Sequence, residues 1–172
     1  MSKLKPEEMS DSEFALLNAF EKCIQAEAWQ HDPPIALSQT ISDRRTHLPL
    51  VDVREWVVSQ LGVPKVVGAA KFAMLRTPEN RHLGEFMISI LPERRQQGIG
   101  RALLAHVARA AEAAQRRLLI TYSTIPDGEA FMRRLGGQVG LTHQVSCLDL
   151  RGFTQRGRAG MDAEKWETSR RV

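Results

Sequence analysis

Apolar and polar residues recur along this chain with two different periods, and the change between them predicts its elements. Apolar residues three to four positions apart predict an amphipathic helix over 12–28 and favour a short second helix over 38–45. Alternation of apolar and polar residues then predicts three strands, over 51–60, 65–75 and 84–91. Because the turns between them are short, these strands form an antiparallel meander.

Helical spacing returns after residue 100 and predicts a helix of about fifteen residues with one apolar stripe. A strand over 117–123 follows it. A strand, a helix and a strand in this order form a crossover whose two strands pair in parallel. A second helix is predicted over 127–137, where two glycines end it, and 138–150 is rich in strand-forming residues. The pattern therefore predicts a mixed α/β fold.

Two glycines, Gly98 and Gly100, stand where the meander ends and the long helix begins. Glycine costs about 0.5–1 kcal/mol relative to alanine in a helix, so the pair indicates a tight turn or a close approach to the backbone. The N–H groups and the dipole of a helix N-terminus attract anions. Arg95 and Arg101 can add positive charge at the rim of such a site. The pattern favours a diphosphate site over a plain tight turn.

Two other phosphate-binding loops fit this stretch less well. A P-loop has a lysine followed by serine or threonine after its last glycine, where this chain has Arg101-Ala102. A Rossmann fingerprint has a third glycine, and Leu103 occupies its position. The preceding antiparallel meander also argues against both.

The stretch ISILPERRQQGIGRALL resembles the acetyl-CoA signature of the GNAT acyltransferases, Arg/Gln-x-x-Gly-x-Gly/Ala, with Arg95, Gly98 and Gly100 at its fixed positions. The resemblance covers Trp56 to Leu150. It implies a GNAT-like α+β fold, with a central mixed, mostly antiparallel sheet, a β-α-β acetyl-CoA crossover and flanking helices. It also implies acetyl-CoA as the acyl donor.

By that resemblance, two stretches of main chain bind acetyl-CoA. The loop that begins at Arg95 would wrap the pyrophosphate with the backbone of Gln96, Gln97, Gly98, Ile99, Gly100 and Arg101. The end of the preceding strand would pair with the pantetheine arm like an added strand, through Ile88, Ser89 and Ile90. The family's sheet splays between this strand and the next, which makes room for the arm.

The residues expected to carry catalysis depart from the family pattern. Aligning Leu135-Gly136 with the family's Leu-Gly places Met132 where many members have a tyrosine that protonates the departing thiolate. Glu85 is the candidate base, and a solvated carboxylate at the end of a strand is the alternative interpretation. It shares one face of its strand with Ser89. Tyr122 is the candidate proton donor and the one tyrosine of the chain.

Two functions remain open on these grounds. The first is an acetyl-CoA-dependent N-acetyltransferase, of reduced activity, acting on an amine of a small molecule or peptide. The second is a catalytically degenerate module, one half of a tandem acyltransferase, that binds acetyl-CoA or dimerises. We expect one GNAT-like domain over 1–150 and a basic polar tail or linker over 151–172. We also expect a homodimer, or a pseudo-dimer in a longer chain, that covers the edge of the strand over 138–150.

The net charge of +4 is concentrated in two segments. Residues 92–117 contain six arginines against two glutamates, and residues 151–172 contain six basic residues against three acidic ones. The first segment surrounds the two glycines, which favours an anionic ligand there. Nucleic-acid binding is disfavoured, because aromatic residues make up only 6% of the chain.

Composition also indicates the cellular location of the protein. Its apolar runs are far shorter than the ~18–20 residues of a membrane span, and its first residues lack the pattern of a signal peptide. The histidines and cysteines show no metal-ligand spacing, so no metal is expected. Cys23 and Cys147 lie in apolar contexts and are predicted to be buried reduced thiols, which places the protein in the cytoplasm.

Overall fold

A five-stranded sheet runs through the part of the chain that this computed structural model describes, residues 1–46 and 49–142. The strands lie side by side in chain order: β1 (Ser2–Lys3), β2 (Val51–Ser59), β3 (Val66–Leu75), β4 (Leu83–Ile90) and β5 (Leu118–Ile120). The first four are antiparallel, and β5 is parallel to β4. The predicted meander and the parallel crossover are confirmed.

Four α-helices accompany the sheet: α1 (Asp11–Ala28), α2 (Leu37–Arg45), α3 (Ile99–Ala113) and α4 (Pro126–Arg134). A capping box starts α1, because the Ser10 hydroxyl accepts the N–H of Glu13 while the Glu13 carboxylate accepts the N–H of Ser10. All four helices were predicted. The last one ends three residues earlier than predicted, since Gly136 adopts a positive φ of 83° and the chain leaves the helix there.

The two faces of the sheet carry different helices. On one face α3 packs against β3 and β4, and the buried side chains include Phe72, Phe86, Leu103 and Val107. On the other face α1 contributes Leu17 and Phe20 to a buried cluster with Val57, Val67 and Leu91. The site described below lies where β4 passes into α3.

The chain divides into two compact units, Met1–Phe131 and Met132–Val172. The first contains the whole sheet. In the second, the structure describes Met132–Thr142, and residues after Arg134 in this stretch form no helix or strand. The remainder of the strand predicted over 138–150, and the predicted tail over 151–172, lie outside the described residues. No helix in the described part of the chain is long and apolar enough to cross a bilayer.

Three local predictions were wrong. The strand over 117–123 is shorter, because the β4–β5 ladder ends at the Glu85–Ile120 pair, so Tyr122 lies beyond the strand. Cys23 is exposed, since it lies on the face of α1 turned away from the sheet. Strand β1 was not predicted, because two residues are too few to show the alternation of a strand.

Candidate functional site

The connection from β4 to α3 is a tight loop with two residues at positive φ. Leu91 directly follows β4 and donates its N–H to the Val67 carbonyl at 3.0 Å, and a single 3-10 turn over Pro92–Arg94 comes next. The φ angle is 58° at Gln96 and 81° at Gly98, which is the N-cap of α3. Glycine adopts this conformation without the steric cost of a Cβ atom, so the loop geometry explains the residue at position 98.

The N-terminus of α3 presents main-chain donors to open space. No side chain in the described part of the chain caps it, and its first turn contains no acidic residue. Its first helical hydrogen bond runs from the N–H of Ala102 to the carbonyl of Gly98 at 3.0 Å, so the N–H groups before it have no acceptor within the helix. A Cβ atom built on Gly98 would meet nothing within 4 Å. These donors, with the exposed Arg101 beside them, suit an anion.

Gly100 has a different reason to be glycine. A Cβ atom there would lie 3.2 Å from the Cδ1 atom of Ile90 and 3.5 Å from the ring of Phe131. The absent side chain therefore lets α3 approach the end of β4. Sequence reasoning assigned both glycines to a ligand, whereas the structure shows open space at Gly98 and internal packing at Gly100.

No described residue pairs with one edge of β4 along the half of the strand that leads to this loop. In the described residues, β5 pairs only with Leu83–Glu85. The Leu91 N–H faces β3. Because successive residues of a strand point their N–H and C=O groups to opposite edges, the main-chain groups of Ile88 and Ile90 face the open edge. Ser89, which lies opposite Ala69, turns its main chain towards β3. Of the three residues predicted to pair with the pantetheine arm, two therefore face the edge where it would lie.

Arg95 is held by protein carboxylates. Its Nη1 atom donates to Glu27 Oε1 at 2.7 Å, and its Nη2 atom donates to the second oxygen of the same carboxylate. Nη1 also lies 3.3 Å from Asp127 Oδ2, and Nε donates to the Ile90 carbonyl at 3.3 Å. These hydrogen bonds lower the pKa of Glu27 and raise that of Arg95. The positive charge of Arg95 is thus compensated within the protein.

Sequence reasoning missed Glu27 and Asp127 as parts of this site. One signal was available for Glu27, which lies in the last turn of α1, a turn without any basic residue. A carboxylate at the negative end of a helix dipole is unfavourable unless a cation compensates it. The pattern indicates that a cation lies near Glu27, but it does not identify Arg95, which is 68 positions away in the chain.

Other loop side chains have partners in the β2–β3 turn or within the loop itself. Arg94 donates from Nη2 to Gln60 Oε1 at 2.7 Å, and Glu93 pairs with Lys65 at 3.0 Å. Gln97 donates from Nε2 to the Glu93 carbonyl at 3.3 Å. The Lys65–Glu93 ion pair is exposed, because its side chains are 47% and 53% exposed.

Glu85 lies at the far end of β4, where the strand still pairs with β5. Register places Ala73 on one side of it and Ile120 on the other, and Val53 lies beyond Ala73 in the same row. Met87 follows on the same face of β4, as predicted from the alternation. Val53, Met87 and Ile120 are 48%, 37% and 44% exposed. Glu85 is therefore an exposed carboxylate beside exposed apolar side chains, and Lys71, which lies opposite Met87 and is 52% exposed, is on the same face of the sheet.

The predicted site residues fall at three places. The loop residues and the end of β4 are adjacent, whereas Glu85 lies five residues before Ile90, a distance of about 17 Å along an extended strand. Tyr122 is 52% exposed and follows β5 by two residues. Met132, in the last turn of α4, stands at the family's tyrosine position by the alignment given above. The described residues contain no cluster of side chains able to hold a metal ion.

Comparisons with known proteins identify the family and the fold. The family model described as "Acetyltransferase (GNAT) family" matches residues 14–136. No curated protein sequence matches the chain significantly.

Solved structures share the fold. A tandem GNAT protein from the clavulanic acid biosynthesis pathway is 24% identical with a TM-score of 0.63; the match covers 78% of this chain and 42% of that one. A ribosomal-protein-alanine N-acetyltransferase from Brucella melitensis is 21% identical with a TM-score of 0.56, covering 80% and 83%. The acetyltransferase yncA from Salmonella typhimurium, solved with acetyl-CoA, is 19% identical with a TM-score of 0.58, covering 78% and 75%.

This chain thus spans less than half of the tandem protein and most of the single-domain ones. The family match covers most of the sheet, and it includes the loop with the uncapped α3 N-terminus. The chain belongs to the GNAT acetyltransferase family.

Proposed function

We propose that the protein transfers the acetyl group of acetyl-CoA to an amine carried on an apolar molecule. The observation that carries the proposal is the uncapped N-terminus of α3, open at Gly98, beside the unpaired edge of β4. A linear ligand with an anionic end and an amide-containing arm is complementary to both features.

The main chain would hold acetyl-CoA. The N–H groups of Ile99 and Gly100 would donate to the diphosphate, and Arg101 would add a charge at the edge of the site. The main-chain groups of Ile88 and the N–H of Ile90 would pair with the pantetheine amides as a neighbouring strand would, while the Ile90 carbonyl accepts from Arg95. Bound in this way, acetyl-CoA supplies an activated thioester.

The row around Glu85 would select the acceptor. An ammonium group can pair with the Glu85 carboxylate, while an apolar body attached to it covers Val53, Met87 and Ile120. Burial of apolar surface is favourable by roughly 25 cal/mol per Å². A hydrophilic polyamine would gain the ion pair but not this burial, so we infer an amine on an apolar body, in a small molecule or at the end of a peptide.

Acetyl transfer needs a neutral amine, because the lone pair of the nitrogen forms the new bond. An alkylammonium has a pKa of about 10.4, so Glu85 would accept its proton, directly or through a water molecule. The nitrogen then bonds to the acyl carbon as the carbon–sulfur bond breaks, and it releases its second proton to water to give the amide. A thiol pKa near 8.5 makes the thiolate a tolerable leaving group, and Tyr122 or water would protonate it. Met132 has no proton to give, which implies a slow enzyme.

A panel of acceptors tests this proposal. Phenethylamine and an N-terminal phenylalanine peptide should give a higher kcat/KM than spermidine or glycinamide at equal concentration. Ile120→Ser should raise the KM for phenethylamine several-fold, since removing part of an apolar contact costs about 1–3 kcal/mol at most. Leu61→Ser is the matched control, because Leu61 is 99% exposed in the β2–β3 turn. Equal rates on all four amines would contradict the proposed acceptor class.

A second function is favoured by two observations. Met132 replaces the family's tyrosine, and the chain aligns with 42% of a tandem GNAT protein. In this alternative the chain is a degenerate half that binds acetyl-CoA without turnover, or that dimerises. Tight CoA binding with no acetylation of any amine would support it. The homodimer or pseudo-dimer predicted from the sequence stays a prediction, and sedimentation at high micromolar concentration tests it.

A further inference from the structure

Arg95 occupies the first fixed position of the acetyl-CoA signature, yet its guanidinium points to protein groups. We propose that the Arg95–Glu27 pair positions the loop for the diphosphate, and that Arg95 is a positioning residue instead of a phosphate ligand. The inference rests on the proposed use of acetyl-CoA. It assigns a part in cofactor binding to Glu27, a residue of α1 remote from the signature in sequence.

The geometry of the pair favours a fixed contact. Two nitrogens of Arg95 donate to the two oxygens of Glu27, the parallel arrangement that restricts both side chains most. The side chains are 20% and 31% exposed, so the pair is less accessible to water than Lys65–Glu93 on the same loop. Reduced exposure strengthens an ion pair, whereas exposed pairs contribute little.

The third nitrogen of Arg95 connects the pair to the site. Its Nε atom donates to the carbonyl of Ile90 at 3.3 Å, and Ile90 ends the open edge of β4. Nη1 also reaches Asp127, in the first turn of α4. One side chain therefore ties the last residue of β4 to α1 and α4, only three residues before the N-cap of α3.

The charge of the cluster argues against a direct contact with phosphate. Arg95 carries one positive charge and faces two carboxylates, Glu27 and Asp127, so the three groups together are negative. To bind a diphosphate, Arg95 would have to leave both partners and expose Glu27 to an approaching anion. The donors that remain for the diphosphate are the main-chain N–H groups at the start of α3 and the exposed Arg101, and the position of these N–H groups depends on the loop that Arg95 holds.

The two roles predict opposite results for one substitution. Glu27→Gln removes a carboxylate and frees the Arg95 charge. If Arg95 binds phosphate, CoA affinity stays constant or rises; if the pair positions the loop, affinity falls. Glu93→Gln is the matched control, because it removes the same charge from an exposed pair of the same loop.

The experiment measures the Kd of CoA by calorimetry for the full chain and its variants, together with the Kd of pantetheine, which lacks the diphosphate. We expect Glu27→Gln to weaken CoA binding about tenfold or more, as loss of charge-assisted hydrogen bonds does, with little change for pantetheine. Glu93→Gln should stay within about twofold of the unsubstituted protein. Circular dichroism and thermal melting establish that each variant is folded. Equal or tighter CoA binding by folded Glu27→Gln would overturn the inference.

Arg95→Lys gives a second, independent reading if Glu27→Gln does not fold. Lysine keeps the charge but cannot offer two parallel N–H groups to Glu27. The positioning role predicts a loss of CoA affinity, and retained affinity contradicts it. Absence of CoA binding by the unsubstituted protein would refute the proposed function itself, a result distinct from either variant outcome.

Discussion

The two ends of β4 offer different chemical groups to a ligand. At the Ile90 end, main-chain groups face open space and the side chains are engaged with one another, as Arg95 is with Glu27. At the Glu85 end, the main chain is paired with β3 and β5, and exposed side chains form the surface. Under the proposed function, the first end binds acetyl-CoA and the second end binds the acceptor amine.

This difference predicts which substitutions at each end of β4 should impair binding or activity. At a main-chain site, the damaging changes are those that add atoms or move the loop, because no side chain supplies the donors. At a side-chain site, the damaging changes are those that remove a functional group. Substitutions at the two ends therefore test cofactor binding and acceptor chemistry independently.

The largest effect is expected at Gly98. Valine there would place a branched side chain at a positive φ, in the open space before the α3 N–H groups, so we expect loss of CoA binding by more than about a hundredfold. Calorimetry measures it. Gly62→Val is the control, since Gly62 has a φ of 74°, also faces open space and lies in the β2–β3 turn. A folded Gly98→Val protein that binds CoA normally would refute the assigned site.

The next effect is expected at Glu85. Glu85→Gln keeps the shape of the side chain but cannot accept the proton of the amine, so kcat should fall by about 10²–10⁴ with CoA affinity unchanged. Tyr122→Phe should cost less, because water can replace it. Glu112→Gln, an exposed glutamate on α3, controls for charge. If Tyr122→Phe abolishes turnover while Glu85→Gln leaves it intact, the two roles are wrongly assigned.

The smallest effect concerns pH and the Arg95–Glu27 pair. Hydrogen bonding to Arg95 lowers the pKa of Glu27 from its ordinary value of 4.5. A lowered carboxyl pKa contributes stability that is fully present above the unfolded value and is lost as the pH falls through the folded one. The difference in free energy of unfolding between the unsubstituted protein and Glu27→Gln should therefore be constant above about pH 5 and shrink at lower pH. Urea titrations at several pH values measure it, and a difference that grows in acid contradicts the pairing.

Most of the sheet and helices could be predicted from the sequence because each element has a readable period. The α3 stripe and the alternation along β4, which put Glu85 and Met87 on one face, needed no tertiary information. Strand β5 was predicted too long, since its end depends on where β4 stops pairing. No local pattern encodes that position.

The part of the candidate site that consists of main-chain groups could be predicted from the sequence. The turn before α3 is visible in the sequence as a motif, because the positive φ at Gly98 favours glycine. Glu27 left no such trace, since its partner lies 68 positions away and any carboxylate at that place could do the same. The apolar patch beside Glu85 depends on the register of four strands, which single-strand patterns do not contain.

The central claim is that the main chain at the start of α3 binds the diphosphate of CoA. The most direct measurement is an amide proton–nitrogen NMR titration of the full chain with CoA. The account predicts the largest shifts at the amides of Gly98, Ile99, Gly100 and Arg101, with smaller ones at Ile88 and Ile90. Titration with pantetheine should shift the β4 amides and leave those of the α3 N-terminus unchanged. Saturable CoA binding with no shift at Gly98 to Arg101 would contradict the claim.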